Sequence, residues 1–281
     1  MDGPSTPEVS IAMGNTPNEQ FDTRPRAVTT IARHDEAGVT VRGYDLVNDL
    51  VGNLSYTRMF HLLLCKRLPS DAEARVLDAC LVILMEAGLN ASSVVTRVTA
   101  SARPGQTQTA IAAGLLTVGE RFAGSSQACG DILVAAPADP EARGEYCRRT
   151  VEAFRTQGLP VPGLGHGTHK DNDPRAQRLI RVATDEGVAQ QELETLRCLG
   201  DTASSVLGRT LVVNVTGAIS ALLLGIGIPA KALTAVAVVS RCGGLAAHAV
   251  EESETRTSDA LWQVFRDTVP YDDSRPRPPA S

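Results

Sequence analysis

Residues 161–179 read VPGLGHGTHKDNDPRAQRL. Gly163, Gly165 and Gly167 remove side chains where another molecule can approach the backbone, and His166 between them is a proton-transfer candidate near neutral pH. Lys170, Arg175 and Arg178 are cations suited to anionic oxygens. Asp173 followed by Pro174 then opens a helix-like run, because proline suits a first helical turn. Chemistry and anion binding therefore share one short stretch. On these residues alone, a glycine-rich turn carrying a solvated histidine is the competing reading.

Outward from this stretch, apolar residues recur in helix-length segments with short breaks, and no period-two pattern persists beyond a few residues. The spacing predicts helices over 44–53, 55–66, 71–88, 91–102, 107–122, 127–134, 140–157, 174–186, 190–200, 214–224 and 230–252, an all-α architecture. Ser70 with Glu73 offers a capping box, and Gly88 and Gly158 suit helix ends. Small residues crowd the later helices, so their backbones can pack closely. A short hairpin over 28–41, turning at Glu36, Ala37 and Gly38, is the one strand feature expected.

At 281 residues and 43% apolar content the chain can bury a large core. Its net charge of -5 contains no block of like charge, which excludes an electrostatic footprint for nucleic acid. The six cysteines show no metal-ligand spacing and read as reduced, mostly buried small hydrophobes in a cytoplasmic protein, with a disulfide framework as the minor alternative. No metal site is expected. Residues 1–27 and 271–281 read as loose tails, and the N-terminus lacks the basic start and apolar run of a secretory signal. The most membrane-like run, 211–239, is interrupted by Asn214, Pro229 and Lys231, so two buried helices explain it better.

The run from Gly163 through His166 and Lys170 to Asp173-Pro174-Arg175-Ala176 resembles, without a gap, the GxGHxxxKxxDPRA signature of the citrate synthase superfamily. Leu89-Asn90-Ala91-Ser92-Ser93 is similar to the family's LNAST helix start, residues 239–244 to its SRxxG helix, and Ala247-His248 with Glu251-Glu252 to the AHxxEQ that follows. Residues 113–124, AGLLTVGERFAG, with 66–69, KRLP, and 211–217, LVVNVTG, resemble the short branch: the citryl-CoA lyases and the C-terminal module of ATP-citrate lyase. The resemblance covers roughly residues 28–267. It implies a helical subunit of an obligate dimer, with a large domain and a smaller one near residues 130–210, binding an acyl-CoA and a carboxylate-rich partner between them.

Carried over residue by residue, the resemblance makes His166 the group that moves a proton at the keto or hydroxyl oxygen of the reacting carbon. Arg175 and Arg241 hold substrate carboxylates, and Asn90 joins them on the substrate. Planar guanidinium groups orient carboxylates by paired hydrogen bonds, which fits that role. Gly163, Gly165, Lys170 and Arg178 match the part that receives the CoA nucleotide. His248 and His61 read as structural, and His34 as a loop residue.

Three chemical positions depart from the family pattern. Ala123 and Ala87 stand where longer members carry histidines. The catalytic aspartate of the family's NVD aligns with Thr216, whose hydroxyl donates a hydrogen bond or positions water but cannot act as a base at neutral pH. Another carboxylate, Asp173 or Glu120, is the candidate replacement. Two functions follow. One is a citryl-CoA lyase-like or citrate synthase-like enzyme acting on citryl-CoA or another 3-hydroxyacyl-CoA, with His166 and Thr216 at the chemistry. The other is a catalytically degenerate acyl-CoA binder.

Overall fold

A computed structural model of the chain describes residues 28–36, 38–119, 125–165 and 172–272. The first elements are three short antiparallel strands in the order β1 (Ala32–Asp35), β2 (Gly38–Val41) and β3 (Tyr44–Asp45). The hairpin expected over 28–41 is present, paired Ala32 to Val41 and Asp35 to Gly38, and His34 lies in β1 rather than in a loop. Ala37, at its turn, lies outside the described residues.

The helix expected over 44–53 does not form. Arg42 and Gly43 both have positive φ and fold Tyr44 back onto Val41, after which Leu46–Leu50 makes one π-helical turn capped by the Asp45 side chain. Val47 and Val51, which gave the segment its helical periodicity, stay exposed.

Eleven α-helices are described. They are α1 (Tyr56–Cys65), α2 (Asp71–Met85), α3 (Ala91–Ala102), α4 (Thr107–Leu116), α5 (Ser125–Ala135), α6 (Pro140–Thr156), α7 (Pro174–Asp185), α8 (Gln190–Leu207), α9 (Val215–Gly225), α10 (Leu233–Thr255) and α11 (Thr257–Thr268). Side-chain caps start most of them: Ser55 for α1, the reciprocal Ser70–Glu73 box for α2, Asn90 for α3, Asp139 for α6, Asp173 for α7 and Asn214 for α9. Gly158, with positive φ, follows α6 as expected.

Two boundaries and one whole helix differ from the sequence pattern for identifiable reasons. Helix α2 ends at Met85, not near Gly88, because Glu86 is extended and its own carboxylate accepts the amides of Ala87 and Gly88. Helix α8 continues past Gly200 to Gly208, which takes the left-handed conformation there. Helix α11 was not anticipated. It starts after a left-handed Arg256, and the buried Glu252 carboxylate accepts both the amide and the hydroxyl of Ser258. Helix α4 stops at Leu116, and Phe122, its expected end, is outside the described residues.

Helix α9 is the centre of the core: every residue from Gly217 to Leu223 is buried, with α2, α5, α7 and α8 packed around it. Helix α10, with the turn before it, is long and apolar enough to cross a membrane by length and composition. It packs instead on α2, α3 and α4 and carries a buried charged network. His61 is fully buried, with its ring nitrogens against the carbonyls of Arg67 and Ile226. All six cysteines are free, and burial pushes the thiols of Cys80, Cys129 and Cys147 up to about 12, which leaves them as unreactive packing groups.

Candidate active site

A cavity of about 540 Å³ opens where the end of α2, the starts of α3, α5, α7 and α9, and the middle of α10 converge. Arg175, Thr216, Arg241 and Asn90 all line it, although they are distant in sequence. No carboxylate is among its described lining residues, so its titratable lining is two guanidinium groups.

The Arg175 side is built around Asp173. This carboxylate is fully buried and caps α7 through the Arg175 amide (3.1 Å). It also accepts Nε and Nη2 of Arg175, each at 3.0 Å, and the Val215 amide of α9 at 3.0 Å. Burial alone would raise the Asp173 carboxyl, but the Arg175 guanidinium and the two amides outweigh it and hold the group below its ordinary range. One carboxylate thus fixes the start of α7 to the start of α9, and Arg175 and Thr216 line the same cavity. Its bonding to Arg175 and Val215 occupies it, and it does not line the cavity, so it does not replace the missing base. Glu120, the other candidate, lies outside the described residues.

The glycines explain a second junction. Gly163 has φ +84, and a Cβ there would stand 2.6 Å from Cys129 Sγ and 3.0 Å from the Gly217 Cα. A Cβ on Gly217 would collide with the Gly163 carbonyl in turn. Three backbone bonds and pairings lock this contact: the Asn214 amide donates to the Gly163 carbonyl (3.0 Å), the Gly165 amide to the Val212 carbonyl (2.7 Å), and Leu164 pairs with Val213. Asn214 adds its side chain, donating to the Gly165 carbonyl (2.8 Å) while its Oδ1 caps α9 through the Gly217 amide (3.0 Å). Gly163 and Gly165 therefore hold the segment against the start of α9, and neither lines the cavity. His166 follows Gly165 directly, and His166, Gly167, His169 and Lys170 lie outside the described residues. Arg178 is exposed on α7 and outside the cavity lining.

Asn90 reaches the cavity at the start of α3. Its Oδ1 accepts the amides of Ser92 and Ser93 and the Ser92 hydroxyl, so its amide group is what remains for a ligand. Ala87 also lines the cavity, where its methyl group takes little space.

Arg241 approaches from α10, its side chain 14% exposed, with Nη1 3.7 Å from Glu86 Oε2. The same carboxylate oxygen lies 3.1 Å from His248 Nε2. His248 Nδ1 accepts a hydrogen bond from Arg97 Nε (2.9 Å), and Arg97, itself buried, pairs with Glu251 and Glu252. His248 thus joins α10 to α3 and to the end of α2, and it is not among the described residues that line the cavity. Glu86 and Arg97 were missed, because a lone acid at a helix end and an arginine within a helix carry no motif; the one signal is that Arg97 follows Ser93 and Thr96 on the same buried stripe of α3.

The structure is that of a helical protein whose cavity is lined by two guanidinium groups, Arg175 and Arg241. Residues 69–264 match the family described as citrate synthase, C-terminal domain, and the chain belongs to that family. It is similar in structure to the citryl-CoA lyase from Hydrogenobacter thermophilus, with a TM-score of 0.79 and 28% identity over 90% of this chain and 97% of that one. A substituted ATP citrate lyase from Methanosaeta concilii, solved with (3S)-citryl-CoA, shares the fold at TM-score 0.71 and 18% identity, covering 97% of this chain and 46% of that one. ATP-citrate synthase subunit 1 of Sordaria macrospora is 24% identical over 73% of this chain and 32% of its own length. The chain spans 32% to 55% of the length of the curated relatives it matches.

Proposed function

We propose that this chain makes or breaks a carbon–carbon bond next to a CoA thioester, taking citryl-CoA or a related 3-hydroxyacyl-CoA to acetyl-CoA and an oxo acid. The observation that carries the reading is one cavity lined by Arg175, Arg241, Asn90 and Thr216, with no competing negative charge among its described lining. In cleavage, His166 takes the proton of the substrate hydroxyl. The carbon–oxygen double bond forms as the carbon–carbon bond breaks, and the electron pair moves onto the thioester as an enolate. Water held by the Thr216 hydroxyl then gives a proton to the enolate carbon and regains one from the protonated His166, so that no proton or water is consumed overall. Arg175 and Arg241 hold carboxylates of the oxo-acid half and fix its orientation. Lys170 and Arg178, which follow the turn that Gly163 and Gly165 seat against α9, receive the CoA nucleotide. Cleavage depends less on a carboxylate base than condensation does, since the enolate arises from bond breaking and not from proton removal. The structural similarity to a citryl-CoA lyase supports the substrate class. A homodimer in the cytoplasm, with its smaller domain near residues 130–210, completes the proposal; no metal takes part.

Incubation with citryl-CoA and related 3-hydroxyacyl-CoAs, followed by mass spectrometry, tests it. The expected result is acetyl-CoA plus the matching oxo acid, with turnover abolished and binding retained in His166→Ala. Unchanged turnover in that variant removes His166 from its role. The absence of a carboxylate from the described lining favours one other reading, a non-catalytic acyl-CoA binder, for which the thioesters bind and stay intact.

A further inference from the structure

We infer that Glu86 is a positioning residue, which sets the Arg241 guanidinium in the cavity wall at the angle a substrate carboxylate requires. The inference rests on the proposed role of Arg241 as a carboxylate clamp. Glu86 stands just past the end of α2, where its extended backbone turns the chain toward α3. Its two carboxylate oxygens have different tasks. Oε1 accepts the amides of Ala87 (2.8 Å) and Gly88 (2.6 Å), fixing the side chain to its own loop. Oε2 faces α10 and lies 3.7 Å from Arg241 Nη1 and 3.1 Å from His248 Nε2.

The face of α10 is shaped for this contact. Arg241, Gly244 and His248 fall at helical spacings of three and four, on one stripe. A Cβ on Gly244 would collide with the Met85 carbonyl and stand 2.8 Å from Glu86 Oε2, so the missing side chain is the notch into which the end of α2 fits. The groups behind Glu86 are themselves held. Arg97 Nε donates to His248 Nδ1, so that nitrogen carries a lone pair and the ring proton sits on Nε2, facing Glu86. Burial alone would raise the Glu86 carboxyl, but the Ala87 and Gly88 amides and the His248 ring facing it outweigh burial and keep it below its ordinary range, so it is an anion at neutral pH.

Arg241 Nη1 and His248 Nε2 are both shielded from solvent without an aligned hydrogen-bond partner among the described residues. A single anionic oxygen therefore serves two donors by charge, off the line of either N–H. That geometry restrains Arg241 from one side and leaves the rest of its guanidinium for the cavity. An arginine so long loses much of its orientation without such a restraint, because its rotamer freedom returns.

Glu86→Gln separates the two tasks, since its amide oxygen still accepts from Ala87 and Gly88 while an uncharged NH2 faces Arg241 and His248. Calorimetric titration with citrate in the presence of CoA is expected to show affinity about ten- to a hundredfold weaker than wild type. Glu86→Asp, which keeps the charge, should recover part of that loss. If a 3-hydroxyacyl-CoA is turned over, Glu86→Gln should raise KM more than it lowers kcat. On an Arg241→Lys background, Glu86→Gln should add little, because the two positions act as one unit; a merely structural Glu86 would cost the same on both backgrounds. Should Glu86→Gln fail to fold, Glu86→Asp decides, with several-fold weaker citrate binding expected and wild-type affinity contradicting the inference. Wild-type affinity in Glu86→Gln alongside lost binding in Arg241→Ala overturns the role of Glu86 and leaves the clamp standing. Unchanged binding in Arg241→Ala, or no citrate binding by the wild type, overturns the clamp and this inference together.

Discussion

Thr216 carries the sharpest chemical question at the residue scale. It lines the cavity in the first turn of α9, where the helix N-terminus stabilises a negative charge. A carboxylate placed there would be ionised and able to remove an α-proton. Thr216→Asp should therefore speed deuterium exchange at the methyl group of acetyl-CoA in D2O by about a hundredfold or more, within the range that general bases supply. Equal exchange in both proteins, followed by NMR, would show that position 216 does not face the acyl carbon. Of the candidate-site residues, Arg175, Arg241, Asn90 and Thr216 were legible because each stands in a block that resembles a motif of the family. Glu86 was not, because its significance arises only when the ends of α2 and α10 meet across the notch at Gly244.

The junctions between helices, not the helices themselves, build the site at the element scale. Asp173 ties α7 to α9, and Asp173→Asn removes one charged acceptor from a buried set of amide and guanidinium donors. Urea unfolding should show a loss of about 1–3 kcal/mol, with substrate binding reduced because Arg175 is released. Gly217→Ala presses a methyl group into the Gly163 carbonyl and should cost about 1–3 kcal/mol by overpacking, with an effect on the segment leading to His166. The α2 cap adds a pH dependence. Glu73 is lowered to about 2, first by the Arg67 side chain, and this depressed group contributes stability that is complete above its unfolded value near about 4.3. That contribution is lost as pH falls toward 2. Glu73→Gln keeps the capping geometry and should flatten the acid limb of a stability–pH curve between about pH 5 and 2; an unchanged limb would contradict this.

The whole molecule follows from a helical pattern wrapped around α9. Leu222 is fully buried there, and Leu222→Ala should lower stability by about 2–5 kcal/mol in a denaturant titration. The sequence pattern carried most helices because caps and apolar stripes agree locally, as at Asn90 for α3 and Asp173 with Pro174 for α7. It misread 44–53, where positive φ at Arg42 and Gly43 overrides the periodicity, and α11, whose start is organised by Glu252 from the preceding helix. In both cases the deciding interaction is backbone conformation or a cap that apolar spacing does not encode.

The central claim is that Arg175 and Arg241 grip one anionic substrate in a single cavity beside the His166 segment. A structure of the protein with CoA and citrate bound tests it most directly. The account predicts citrate carboxylates on both guanidinium groups and the citrate hydroxyl within hydrogen-bond reach of the His166 ring. Citrate bound elsewhere, or held by neither arginine, would contradict it.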